Sequence, residues 1–162
     1  MKIGSKGDYG LRALIDLADH HGTSRVVQAK DIAHRQAIPK DYLALIMIDL
    51  RKAGLVESIR GPGGGYRLAV APEELTMGQA LRALEGPITL LDCTTELGFG
   101  ECSISLRCRM RNVWIEANRA VMAILDATTI ADLCTRAGPT GDQPKVSKSS
   151  EVSMPEGLTF HI

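Results

Sequence analysis

The side chains with the most distinctive chemistry in this sequence lie in one short stretch. Of the four cysteines, Cys93, Cys102, Cys108 and Cys134, the first three fall within 16 residues in the pattern C-x8-C-x5-C. Thiolates are soft, anionic ligands suited to iron–sulfur clusters. Gly98 and Gly100 lie between the first two cysteines and give a flexible loop in which several sulfurs can converge. Three chemistries are open, in descending order: a metal–sulfur cluster, a thiol–disulfide switch and a zinc site. Zinc is last because it wants a fourth Cys or His at tetrahedral geometry, and none of His20, His21, His34 or His161 has ligand spacing to the loop. Cys134 follows Leu133 in an apolar turn and reads as an inert buried thiol. No nucleophile–base pairing and no paired carboxylates stand at suggestive spacing, so an enzyme is the least supported class.

A second group of candidates is basic. The net charge is zero, yet residues 1–70 carry 11 Lys and Arg against 7 Asp and Glu, and residues 71–162 carry 8 against 12. A basic front half fits contact with nucleic acid at one end of the molecule. The chain opens on polar residues without the apolar core of a secretory signal, and no run of about 18 apolar residues occurs. A cytoplasmic chain, with reduced thiols rather than disulfides, is the expectation.

The elements that must position these groups are mostly helical. Leu11, Leu14, Ile15 and Ala18 recur at helical spacing and predict a helix over about 6–20, with Ser5-x-x-Asp8 as a capping box. A short helix over about 29–36 and another over about 40–53 flank the turn Ala37-Ile38-Pro39. Leu43, Ile46, Met47 and Leu50 give the second of these its buried face, and Gly54 stops it. Two helices across a short turn predict a helix-turn-helix. Residues 55–59 and 66–68 then predict a β-hairpin around Arg60-Gly61-Pro62-Gly63-Gly64-Gly65. The glycine run lacks the Gly-Lys-Ser/Thr of a nucleotide loop. A helix over about 77–84 opens on a second capping box, Thr76-x-x-Gln79.

A longer helix over about 109–127 carries Met110, Val113, Trp114, Ala117, Val121 and Leu125 in one apolar stripe, for which a partner subunit is the expected cover. The fold class predicted is mostly α with a small β-hairpin, a winged helix-turn-helix plus a long C-terminal dimerisation helix. The expected division is a DNA-binding domain over 1–72, a cysteine loop and dimerisation helix over 73–135, and a disordered tail over 136–162, where Gly, Pro, Ser, Thr and Lys dominate.

In a winged helix the recognition helix meets the major groove by its N-terminal turn, which here exposes Lys40, Asp41 and Tyr42. Arg60 stands at the hairpin edge, where a guanidinium can enter a narrow minor groove. Gly63 and Gly64 allow close approach of the wing backbone to phosphates. Arg51, Lys52 and Arg67 are candidate phosphate contacts.

Leu50-Arg51-Lys52-Ala53-Gly54-Leu55-Val56, followed by Arg60-Gly61-Pro62-Gly63-Gly64-Gly65-Tyr66, resembles the Rrf-type family of winged-helix transcriptional regulators, the IscR, NsrR and RirA group. The opening Ser5-Lys6-Gly7-Asp8-Tyr9-Gly10 resembles the same family's first helix, and the likeness runs over about residues 1–134. It implies a homodimeric regulator of double-stranded DNA operators. It also implies an iron–sulfur cluster held by Cys93, Cys102 and Cys108, sensing iron, redox state or nitric oxide. One branch of the family supplies a histidine three residues after the last cysteine; here that position is Arg111, which stays protonated and cannot ligate. Another branch supplies an aspartate near the chain start, which matches Asp8 and favours 4Fe-4S over 2Fe-2S. The same Asp8 also serves a helix N-terminus. Ala44 and Leu45 fall where relatives often carry polar readers, and Asp49 where they often carry a base. The alternatives are a cluster-free regulator switched by thiol oxidation or a partner protein, and an electron-transfer or metal-storage protein on the same scaffold.

Overall fold

The structure, a computed structural model, describes residues 3–22, 26–94, 103–104 and 107–135. The order of elements is α1 (Ser5–Ala18), α2 (Ala29–Arg35), α3 (Lys40–Lys52), β1 (Val56–Ile59), β2 (Gly65–Leu68), α4 (Met77–Glu85), a single 3-10 turn at Asp92–Thr94, α5 (Arg111–Ala127) and α6 (Ile130–Thr135). β1 and β2 form an antiparallel hairpin in which Val56 faces Leu68 and Ile59 faces Gly65. A further backbone pair joins Val27, just before α2, to Tyr66, so the inner edge of the hairpin is tied to the helix-turn-helix.

The predicted faces close on one core. Leu14 and Leu17 of α1, Ile32 of α2 and Leu43, Ile46, Met47 and Leu50 of α3 are buried together. Leu75, Leu81 and Ile130 belong to the same cluster, so α4 and α6 pack against the helices that precede them. One buried charge anchors this core. Asp16 accepts two hydrogen bonds from Arg35 (2.6 and 2.9 Å) and one from Gln36 (3.1 Å), which links α1 to the end of α2. Burial by itself would raise the Asp16 carboxyl, but the hydrogen bonds from Arg35 and Gln36 and the guanidinium charge outweigh it, leaving the pKa below the usual carboxylate value.

The turn between α2 and α3 is made by Ala37 in the left-handed region, with φ of 51°. The Ile38 N–H donates to the Ala33 carbonyl (2.9 Å) and the Ala37 N–H to that of His34 (3.4 Å), a Schellman closure without the usual glycine. The same closure ends α3, there with Gly54, whose φ of 73° suits a residue lacking Cβ.

At the two helix starts where a capping box is predicted, the outcomes differ. Thr76 and Gln79 form the reciprocal pair at α4, with each side chain bonding the other's backbone. At α1 the N-cap is Gly4 and no side chain caps it; Ser5 is already helical, and Asp8 pairs with Arg12 one turn on (2.7 Å). The orphan amide of Gly7 is met instead from outside the helix, donating to Glu85 Oε1 at the end of α4 (2.7 Å). Helices α1 and α4 touch closely there: a Cβ at Gly10 would collide with Leu84.

The apolar stripe predicted on α5 divides into two faces. Leu125 is buried, and Val121 and Met122 pack against the core of their own chain. Met110, Val113 and Ile124 are 62–67% exposed on the other side, with Trp114 at 38%. The run of apolar positions along this helix therefore serves two surfaces rather than the single one its periodicity suggests: Val121 and Leu125 turn to their own chain, while Met110 and Val113 stay outside it. The predicted tail over 136–162 lies outside the described residues.

Candidate nucleic-acid interface and cysteine segment

The sequence-predicted contact residues fall on α3 and the hairpin. Lys40 and Asp41 are exposed in the first turn of α3. Tyr42 is half-buried, its ring edge-on to Tyr9 of α1 at 5.9 Å between centroids, so it braces the helix start as much as it presents a hydroxyl. At the far end of α3, Arg51 reaches Ser58 of β1 (3.3 Å) and Lys52 lies 3.7 Å from Asp49. Asp49 is drawn mainly to Lys6 of α1 (2.7 Å), and that hydrogen bond holds its carboxyl below the usual range. Asp49 is thus engaged in an α1–α3 pair.

On the hairpin, Arg67 is paired across the strands with Glu57 (2.8 Å). Arg60 is exposed at the end of β1 and, among the described residues, has no ion-pair partner. Gly63, at φ of 82°, has open space where a Cβ would stand. Gly64 is closely confined: a Cβ there would strike the carbonyl oxygen of Ile59, and its N–H donates to the Gly61 carbonyl (2.9 Å). Gly65 likewise lies against the Val27 carbonyl. The glycine run therefore keeps the tip narrow and fastens the hairpin to the body, while Arg60 and Gly63 carry its outer surface.

The cysteine segment begins at the end of α4 and returns at α5. Cys93 lies in the 3-10 turn, which packs against α5, and the preceding Leu90 N–H donates to Asn118 of α5 (3.1 Å). Cys108 lies just before α5. Both thiols are free and half-buried. Cys102 lies outside the described residues. Among the described residues no three His, Cys, Asp or Glu side chains come together as a metal site. Asp8 is exposed and engaged with Arg12, whose guanidinium also lies 5.5 Å from the centre of the Tyr9 ring. Cys134 is half-buried rather than fully so; burial and the nearby Asp19 push its thiol pKa up, which keeps it protonated and unreactive.

Three features were not read from the sequence: the Glu85 bond to the start of α1, the Asp16–Arg35 pair and the outward position of Ile124. The first two join residues 78 and 19 positions apart and leave no local signal.

A helix-turn-helix braced on a third helix, followed by a hairpin with an exposed arginine at its edge, defines a winged-helix DNA-binding fold, and its class is the transcription regulators. Residues 3–136 match the Rrf2 family, described as iron-dependent transcriptional regulators, and the chain belongs to that family. It is 37% identical over 133 residues to the HTH-type transcriptional regulator IscR of Aliivibrio salmonicida, covering 82% of this chain and 77% of that one. Among solved structures it resembles CymR (YrzC), the global cysteine regulator of B. subtilis, with a TM-score of 0.71 at 38% identity, over 85% of this chain and 99% of that one. It also resembles the oxidized form of Staphylococcus aureus CymR, with a TM-score of 0.66 at 34% identity, over 85% and 99% of the two chains. The chain is a transcriptional regulator and not an enzyme. No helix among the described residues is long and apolar enough to cross a membrane.

Proposed function

We propose that this regulator acts as a homodimer on double-stranded operator DNA in the cytoplasm, and that an iron–sulfur cluster held by Cys93, Cys102 and Cys108 governs its affinity. The observation that carries this is the pair of free, half-buried thiols, Cys93 and Cys108, bracketing one segment at the base of α5. Free thiols of this kind fit a cluster in chemical type, and the family's iron-dependent description points the same way. When bound, the cluster supplies a redox- and iron-responsive centre. Asp8 is the candidate fourth ligand; it has to give up Arg12 to serve. Dimerisation is supported by the seam of α5, where Met110, Val113, Ala117, Ala120 and Ile124 repeat at three- and four-residue steps. On the DNA side Lys40, Asp41 and Tyr42 sit at the groove-facing turn of α3, Arg60 and Gly63 at the wing, and Arg51, Lys52 and Arg67 within reach of phosphates.

The test is protein purified without oxygen, with its absorbance spectrum, iron and acid-labile sulfide measured on one sample and repeated for Cys108→Ala. Matched iron and sulfide in the parent, lost in the variant together with a change in operator affinity, is the expected result. Unchanged iron in Cys108→Ala removes this residue from the ligand set.

A second reading has its own support. The likeness to a CymR solved in an oxidized form favours a cluster-free regulator switched by its thiols. It predicts colourless protein, even after reconstitution, whose DNA binding responds to peroxide and is restored by dithiothreitol.

A further inference from the structure

The outward face of α3 is apolar where a reader of DNA ordinarily carries hydrogen-bonding side chains. Opposite the buried face of Leu43, Ile46, Met47 and Leu50 stands the column Asp41, Leu45, Ile48 and Lys52, spaced i, i+4, i+7 and i+11, with Ala44 beside it. Leu45 is 58% exposed and Ile48 is 40% exposed. Both lie in the middle of the helix, so fraying at an end does not account for them. Together they form a continuous strip, unlike the isolated exposed leucines common on protein surfaces.

Its surroundings identify the occupant. Lys40 and Arg51 are exposed cations on the same helix, Lys52 closes the column at its C-terminal end, and Arg60 is exposed on the wing, a set of charges that suits the phosphates bordering a groove. Asp41 heads the column, and a carboxylate there is repelled by phosphate but accepts a hydrogen bond from the amino group of cytosine or adenine. Asp41, Leu45 and Ile48 are therefore directed at bases, and the cations at the column's end and beside it at the backbone. In the major groove the apolar group displayed by the four base pairs is the C5 methyl of thymine.

We propose that α3 reads its operator through thymine methyl groups packed against Leu45 and Ile48, which makes the centre of each half-site A·T-rich. This rests on the DNA-binding reading above. Discrimination then comes from buried methyl area, with Asp41 selecting an amino group at the margin. Each methyl is worth about fourfold in affinity, the transfer free energy of one methylene-sized group.

The experiment starts from the full chain and a random duplex library, and measures the Kd of the selected site. Each thymine of one half-site is then replaced by deoxyuridine, which removes the methyl and leaves every hydrogen-bonding group in place. The expected result is a loss of about fourfold at one or two positions, and no loss at those positions with L45A or I48A, whose surface location leaves the core intact. Equal Kd for the thymine and uracil forms at every position, in a duplex the chain has selected, overturns the proposal while the regulator reading stands. If the library yields no preferred duplex and binding lacks salt dependence, the DNA-binding reading fails with it, and α3 presents its strip to a protein instead.

Discussion

The winged helix and the α5 seam handle apolar surface in opposite ways. In the winged helix, Leu14, Ile32, Leu43 and Ile46 are entirely buried, and the one deeply buried carboxylate, Asp16, has three hydrogen bonds. Along α5, only Leu125 counts as buried, while Met110, Val113 and Ile124 face outward. The first region is finished within one chain. The second leaves apolar surface exposed among the described residues and holds two half-buried free thiols, which is the form that the proposed second copy and bound group would complete.

The sharpest way to break this contrast is Ile124→Asp. It places a carboxylate on the seam of each protomer, and across two copies about 4 kcal/mol of association, or roughly a thousandfold in dimer dissociation, is expected to be lost. Sedimentation should show a monomer with unchanged far-ultraviolet circular dichroism; a variant that remains dimeric would place the interface elsewhere. Leu14→Ala probes the finished region, where a cavity should cost about 3 kcal/mol in urea unfolding. A cost below 1 kcal/mol would mean that α1 can collapse onto the gap.

Asp16→Asn should cost about 2 kcal/mol, since it weakens charged hydrogen bonds to an Arg35 that is itself partly hydrated. The pH dependence follows from the depressed carboxyl pKa. The stabilisation is present above the unfolded carboxylate pKa of about 3.9 and disappears as pH falls through the lower folded value. The variant should therefore flatten the acid limb of stability against pH, and an identical limb in both proteins would assign it to other carboxylates. The smallest effect expected is at the turn: Ala37→Gly relieves a left-handed alanine but adds freedom to the unfolded chain, for a net gain of about 0.5 kcal/mol in the same urea titration.

Much of the fold was legible because its signals are local. The buried face of α3, the Thr76–Gln79 box and the hairpin around its glycine run each depend on residues within a few positions of one another. Ser5-x-x-Asp8 carried the same local signal and misled, because Glu85 reaches the α1 amides from another helix and Asp8 is taken by Arg12. On α5 the predicted stripe holds as exposed surface at Met110, Val113 and Trp114 but not at Val121 and Leu125, which pack against their own chain, a division that only packing reveals. On α3, Lys40 and Asp41 are exposed as expected while Tyr42 is half-buried against Tyr9, and Gly64 carries a backbone constraint from Ile59 across the hairpin that no local pattern announces.

The junction of α1 with α4 has a mechanical consequence. Glu85 is bonded to the start of α1, and Gly10 leaves no space beside Leu84, so the helix that leads into the cysteine segment is welded to the first helix of the winged fold. A weld transmits displacement and absorbs none. Strain in the segment beyond Gly86 is then expected to move the body ahead of it more than to reshape its reading surface. In a pair of such bodies, what such a movement changes is the stride between the two α3 helices, to be matched against the roughly 34 Å turn of the duplex.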